Sequence, residues 1–482
     1  MQSRGRAGSL CNGETTADPK GEDTLVLLGA LCLFLAALEY LIPKPLPFIR
    51  IGLANLPLLL ALDILSPRHF ALLTLLKIAG TGIVGGTIFS YVFLFSLGGS
   101  AASALAMYGL GVLRRRGPRV LRPSLAGIGA AGSLCSTGTQ LLLARFLIFG
   151  EGARYLIPPF LAMALGTGLA LGLFCEVFCG RSRWYALRVR GPGGSGPGLG
   201  SPDSGVKLDP QYIRIENPQE FLITKAPKAH KGNFMRREDN RRNRRARWDA
   251  LFDSRELAIA GFLGALLFLL NPTTAGRALQ FAFFWFCAWA SGRKNRPLLT
   301  LLVMAGVLLV NLLAPYGRVV AEFGPLRVTT GSLVSGLRKG ITLEGLLMLS
   351  GAVIRGRPFG AGRPARPGRK AGLAALAAGF FRLLGESLAV FALIGGGQRV
   401  RPGHLATDLD RLLLNLDSLP REDRARPNPR TDESQADGSQ TGGNRAGRPE
   451  NQGARGRRKG RLLLVLSLLA VAALTLLPAL VP

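Results

Sequence analysis

Apolar runs of about twenty residues recur along the chain, and clusters of Arg fall in the gaps between them. Hydrocarbon offers a backbone no hydrogen-bond partners, so runs of this kind fold as membrane-spanning helices. The most informative run covers residues 47–100, PFIRIGLANLPLLLALDILSPRHFALLTLLKIAGTGIVGGTIFSYVFLFSLGGS. Arg50, Asn55, Asp63 and Lys77 lie inside or beside it. A polar side chain facing lipid is costly, so such residues turn toward a bundle interior or a cavity. Glycines and small residues crowd positions 79–86 and let another helix or a ligand come close to the backbone. The pattern predicts an all-α polytopic membrane protein that holds a small molecule between its helices.

Charge supports the same reading. The 482 residues carry a formal net charge of +31, and mean hydropathy is +0.27. A soluble chain this basic would point to nucleic acid. Here the Arg residues cluster between apolar spans, where the asymmetry of membrane loops accounts for them, so the partner is the lipid bilayer and no nucleic acid. Cys11, Cys32, Cys135, Cys175, Cys179 and Cys287 fall mostly in apolar runs and read as small buried hydrophobes. No cleavable signal peptide is expected, because a polar lead precedes the first span and no small-residue cleavage site follows.

In chain order, a polar segment (1–22) expected to be disordered precedes six spans within 23–182. These fall near Thr24–Ile42, Ile51–Leu65, His69–Ile88, Tyr91–Leu113, Ser124–Phe149 and Tyr155–Cys179. The second is short for a crossing. A basic linker (183–250) begins with a Gly/Pro/Ser tract and ends with seven Arg between Arg236 and Arg247. Within it, residues 207–225 read as a short hairpin or a docking peptide. A second bundle (251–395) has spans near Glu256–Leu270, Ala275–Ala290, Pro297–Leu313 and Thr330–Ile354. The run Ala371–Leu393, with Arg382 and Glu386, either crosses the membrane or lies along its inner face. Residues 396–459 are polar and expected to be disordered, and 460–482 hold a last span.

The stretches PFIRIGLANLPLLLALDIL and KIAGTGIVGGTIFSYVFLFSLGGS resemble the Gx transporter family, also labelled heptaprenyl diphosphate synthase component I. The likeness covers about residues 25–180. It implies a six-helix substrate-capture bundle similar to the S components of energy-coupling-factor transporters. The second block, with FDSRELAIAGFLGALLFLLNPTT and FGPLRVTTGSLVSGLRKGITLEGLLML, resembles a T component, the transmembrane coupling subunit. That resemblance implies separate ABC-type ATPase subunits as partners. GFFRLLGESLAVF stands where such a subunit carries a coupling helix, but lacks the Ala-Arg-Gly motif expected there.

Catalytic motifs are missing. A prenyl diphosphate synthase needs paired Asp to hold magnesium, and the chain has no two adjacent Asp. It has no GxxxxGK[ST] nucleotide loop, and His69, His230 and His404 are scattered. The chain is therefore expected to be no enzyme and to use no cofactor or metal. What remains is a binding cavity for a small anionic substrate, lined by Arg50, Asn55, Lys77, Gln140 and Arg145. Arg50, Asn55, Gln140, Arg145 and Arg154 fall toward one side of the bundle. Lys77 lies about 12 Å from the other side at about 1.5 Å per residue. Lys77 alternatively reaches the inner surface or pairs with Asp63. Arg145 and Arg154 alternatively anchor at the interface. Gly82, Gly86, Gly168 and Gly172 are spaced for helix packing.

The Arg runs put the amino terminus and the 183–250 linker in the cytoplasm of a cell membrane. A Cys introduced at Gly194 should resist an impermeant thiol reagent applied to intact cells. Ready labelling there reverses the orientation.

Overall fold

The computed structural model describes residues 19–41, 52–190, 228–293, 295–323, 326–354, 373–395, 405–418 and 450–480. It is an all-α polytopic membrane protein with one small hairpin. Five helices among the described residues are long and apolar enough to cross a membrane: Gly21–Glu39, Tyr91–Arg116, Leu125–Tyr155, Ile157–Arg181 and Arg457–Leu476.

The first bundle comprises α1 (Pro19–Leu41), α2 (Leu56–Ala61), α3 (Pro67–Gly85), α4 (Tyr91–Arg116), α5 (Leu125–Ala144) and α6 (Ile157–Arg181). Pro57, Pro67 and Pro158 stand in first turns, where a missing N–H costs nothing. Ser90 and Ser124 cap α4 and α5 by accepting from Val92 N and Gly127 N. Arg114, Arg115 and Arg116 close α4, where cations complement the helix dipole. The second span is much shorter than expected. A 3-10 turn, Leu53–Asn55, leads into a helix of only six residues. That is roughly 9 Å, far less than a bilayer core. All six residues are buried, so α2 is a half-span enclosed by its neighbours.

Small residues set the helix spacing. A Cβ on Gly168 would lie 2.7 Å from Gly129 O, and one on Gly172 2.4 Å from Ala126 Cα. Gly82 faces the Phe93 ring at 2.8 Å by the same measure. Gly86 has another role: it ends α3 with a left-handed φ of 60° while Thr87 N reaches back to Gly82 O at 2.9 Å.

After α7 (Arg183–Arg190), α8 (Lys228–Leu251) carries the Arg-rich run. The second bundle comprises α9 (Ser254–Leu270), α10 (Thr274–Ala290), α11 (Pro297–Leu312) and α12 (Thr330–Val353). An antiparallel hairpin, β1 (Val319–Phe323) and β2 (Leu326–Thr329), joins α11 to α12. No hairpin is expected there from the sequence, although Val319, Val320, Val328 and Thr329 are β-branched. The last helix, α15 (Glu450–Leu480), runs beside α9, with Arg461 on Glu256 at 2.6 Å and Thr475 on Leu267 O at 3.3 Å. Gln280 fastens it through Val471 O and Thr475 Oγ1, and itself accepts from Asn271.

Two segments depart from expectation. Helix α13 (Leu373–Gly395) was grouped with the second bundle but runs parallel to α1. Arg382 meets Glu22 at 2.8 Å, and Ser387 Oγ donates to Val26 O at 3.2 Å. The region expected to be disordered contains α14 (Leu405–Ser418). Its sequence is amphipathic: Leu412, Leu413 and Leu416 are buried, while Asp410 accepts from Trp184 N at 3.0 Å and Asp417 pairs with Arg188. The possible hairpin at 207–225 lies outside the described residues, as does the segment 1–18. The bundles meet where Val92, Phe95, Ile148 and Phe149 pack on Val303, Val307, Val310 and Leu343. Phe89 N donates to Ser350 Oγ at 3.1 Å, and Asn311 Nδ2 to Ile148 O at 3.3 Å.

Gly172→Val should wedge α5 from α6 and cost about 1–3 kcal/mol, read as a lower melting temperature in detergent. Gly166, whose Cβ would meet nothing within 4 Å, is the control position. Equal melting of Gly172→Val and wild type contradicts this packing.

Candidate functional site

Three elements of the first bundle converge on the turn Gly52–Asn55. Helix α1 brings Glu39, α3 brings Lys77, and the turn itself supplies Asn55. All three side chains are buried, at 4%, 3% and 4% exposure. Lys77 Nζ donates to Asn55 Oδ1. Gly52 N donates to Glu39 Oε2 at 3.3 Å. Gly52 has φ 92°, a conformation that favours glycine, and a Cβ there would meet Asn55 Nδ2 at 3.2 Å. Ser133 of α5 lies just beyond, its Oγ 3.6 Å from the same point.

A buried ammonium is costly unless it is hydrogen-bonded and its charge answered. Asn55 provides the hydrogen bond, and Glu39 places a carboxylate at the same turn. Lys77 thus neither reaches the surface nor pairs with Asp63. Asp63 stands 4.0 Å from Arg115 and accepts from Tyr185 Oη at 3.1 Å. Because α2 is so short, Asn55 sits at the depth of Lys77 instead of toward the far side of the bundle.

A row of buried hydroxyls continues along α4 and α5: Ser96, Ser100, Ser103, Ser133 and Thr137. Ser96 Oγ has no hydrogen-bond partner among the described residues. Gln140 belongs to this row. It is 5% exposed, packs against Gly99 and donates to Ser136 Oγ at 3.2 Å. Arg145 does not belong. It lies half-exposed on a π-helical turn (Arg145–Phe149) and pairs with Glu151 at 2.7 Å. Arg154 is exposed and stacks on Tyr155 at 4.8 Å. Arg50 lies outside the described residues. Of the five expected binding residues, the structure brings Asn55 and Lys77 into contact and keeps Gln140 in the same interior.

Sequence reasoning missed Glu39 and Ser96. Glu39 had a signal, since a carboxylate near the end of an apolar run deserves the argument applied to Lys77. Ser96 had none, because a serine in a span reads as helix-packing material. Among the described residues no group of three or more His, Cys, Asp or Glu could hold a metal.

As it stands the site is closed, with Lys77 and Asn55 satisfying each other. An anion could take the Asn55 position on Nζ if the turn moved outward, because the ammonium keeps its donors and gains a stronger acceptor. Asn55→Leu removes the acceptor and should cost about 1–3 kcal/mol. Adding Lys77→Met should cost less than the two single losses summed, since the double variant buries no unsatisfied ammonium although Glu39 remains. Chemical unfolding of the four proteins of this cycle checks it, and additive losses contradict the pairing.

Two family models match the chain. Residues 255–356, within the 251–395 bundle expected to resemble a T component, match a domain of unknown function (DUF8519). No curated protein and no solved structure matches. Residues 28–178, which contain the whole Glu39–Asn55–Lys77 cluster, match the family described as heptaprenyl diphosphate synthase component I.

Proposed function

We propose that the chain is a membrane uptake component whose first bundle captures a small anionic molecule with an apolar body. One observation carries this reading: a lysine, an asparagine and a glutamate are buried together inside the segment that matches a membrane family. Structural charges are rarely placed so deep, because apolar residues of the same size pack at no desolvation cost. A buried charge of this kind inside a membrane bundle marks a binding site. The row of hydroxyls on α4 and α5 offers further neutral hydrogen bonds, and the surrounding leucines suit an isoprenoid- or vitamin-like body.

In this proposal the second bundle is the T-component-like support against which the first works, with separate ATPases supplying energy. The protein sits in the cell membrane with its amino terminus in the cytoplasm. The description of the matched family, heptaprenyl diphosphate synthase component I, fits a second reading, a non-catalytic membrane partner of polyprenyl diphosphate synthesis. Co-purification separates them: ATPase subunits support uptake, and a soluble prenyl synthase supports the second reading.

Mass spectrometry of the ligand retained by purified wild-type protein tests the site itself. Compared per folded molecule, Lys77→Met should lose about tenfold to hundredfold in affinity for that ligand, the worth of a charged hydrogen bond. Undiminished binding by Lys77→Met removes the lysine from the site.

A further inference from the structure

The second bundle holds a cavity of about 570 Å³ at the hairpin end of α12. Arg277 of α10 and Arg338 and Lys339 of α12 line it, with Ser335, Thr330 and Tyr316. No carboxylate is among its lining residues. Arg277 is only 9% exposed. Its three nitrogens donate to Asn271 O at 2.7 Å, Thr342 Oγ1 at 2.8 Å and Leu269 O at 2.9 Å, all neutral acceptors. Lys339 Nζ likewise donates to a neutral oxygen, Asn311 Oδ1, at 3.1 Å. Nearby acids are engaged elsewhere: Glu322 pairs with Arg327 at 3.2 Å in the hairpin, and Glu344 accepts from Thr300 at 3.1 Å deeper in the bundle.

The backbone explains why the cluster forms. Gly331 lets the first turn of α12 press against Tyr316, since a Cβ there would lie 2.4 Å from Tyr316 O. Arg338 and Lys339 follow about two turns later and sit level with Arg277. Three cations in one pocket repel each other, and a buried cation without a counter-charge is costly. Such a set gains most from one compact, multiply charged anion that touches all three. A phosphoryl group fits, because guanidinium forks match its oxygens and lysine adds a point charge. The volume is that of a ligand site and exceeds one phosphate, and Val334 and the Tyr316 ring supply an apolar wall.

We infer that this cavity is a second anion site, which takes a phosphate or diphosphate group on Arg277, Arg338 and Lys339. The group arrives either as a free ion or as the head of a lipid whose chain lies along the bundle. This site is independent of the Lys77 cluster and does not rest on the function proposed for it.

The test uses the full-length chain. Binding of inorganic phosphate and of inorganic pyrophosphate is measured by calorimetry on protein in neutral detergent. Binding of phosphatidic acid is measured in nanodiscs of otherwise zwitterionic lipid. Saturable binding in the soluble arm identifies a free ion, and saturable binding in the nanodisc arm alone identifies a lipid head. Either result supports the site only if Arg338→Gln weakens it about tenfold or more. The Arg338 side chain makes no hydrogen bond to another described residue, its backbone oxygen alone accepting from Thr342 Oγ1 at 2.7 Å outside the helix ladder, and unchanged unliganded melting confirms that the variant folds. Lys339→Gln, which keeps a donor for Asn311, is the second variant and should weaken binding similarly. No saturable binding in any arm, or equal binding by wild type and both variants, overturns the inference.

Discussion

One ammonium group governs the first bundle. Lys77 sits in the middle of α3, a helix otherwise nearly free of charge, and only 3% of it is exposed. Hydrocarbon would not tolerate that charge alone, so other polar groups must come to it. They come from α1 as Glu39 and from the turn before α2 as Asn55. Meeting Lys77 places that turn level with the middle of α3, and α2 is shorter still than the Ile51–Leu65 span, which was already short for a crossing. The left-handed Gly52 allows the chain to enter the turn, and Pro57 opens the short helix that leaves it.

Around this centre, close helix contact supplies the remaining stability. Lipid gives no hydrophobic drive to helix association, so contact area and interhelical hydrogen bonds must suffice. The crossing of α5 over α6 brings Gly168 and Gly172 against Gly129 and Ala126. The second bundle relies more on polar ties. Asn271, Gln280 and Thr475 join α9, α10 and α15, and Thr300 joins Glu344 between α11 and α12. Each bundle therefore keeps a buried polar set of its own. In the first, Glu39 brings a carboxylate to the same turn, whereas the cations of the hairpin-end cavity lack a carboxylate among its lining residues.

Apolar runs and prolines located most of the long helices to within about five residues, because span length and helix starts are local properties, but α15 begins at Glu450, inside the stretch expected to be disordered. Gly168 and Gly172 were legible as packing residues for the same reason. Gly86 was read as packing too, but spacing alone cannot separate a helix cap from a contact. The contacts of α13 were not legible: Arg382 finds Glu22 across more than three hundred residues, and no local pattern encodes that. Helix α14 was hidden because a short amphipathic segment between polar stretches resembles disorder until its partner, α7, is in place. At the site, Lys77 and Asn55 were visible as polar residues in apolar surroundings. Their contact was not, since it depends on how far α2 extends. Arg145 illustrates the opposite error, for its position on a widened turn sends its side chain outward to Glu151.

The central claim is that Lys77 exchanges Asn55 for an anionic ligand. A cryo-electron-microscopy structure of the full chain with its co-purified ligand tests this most directly. The account predicts density for an acidic group within hydrogen-bond distance of Lys77 Nζ, with the Gly52–Asn55 turn displaced. A ligand bound elsewhere, with the Lys77–Asn55 hydrogen bond intact, would contradict it.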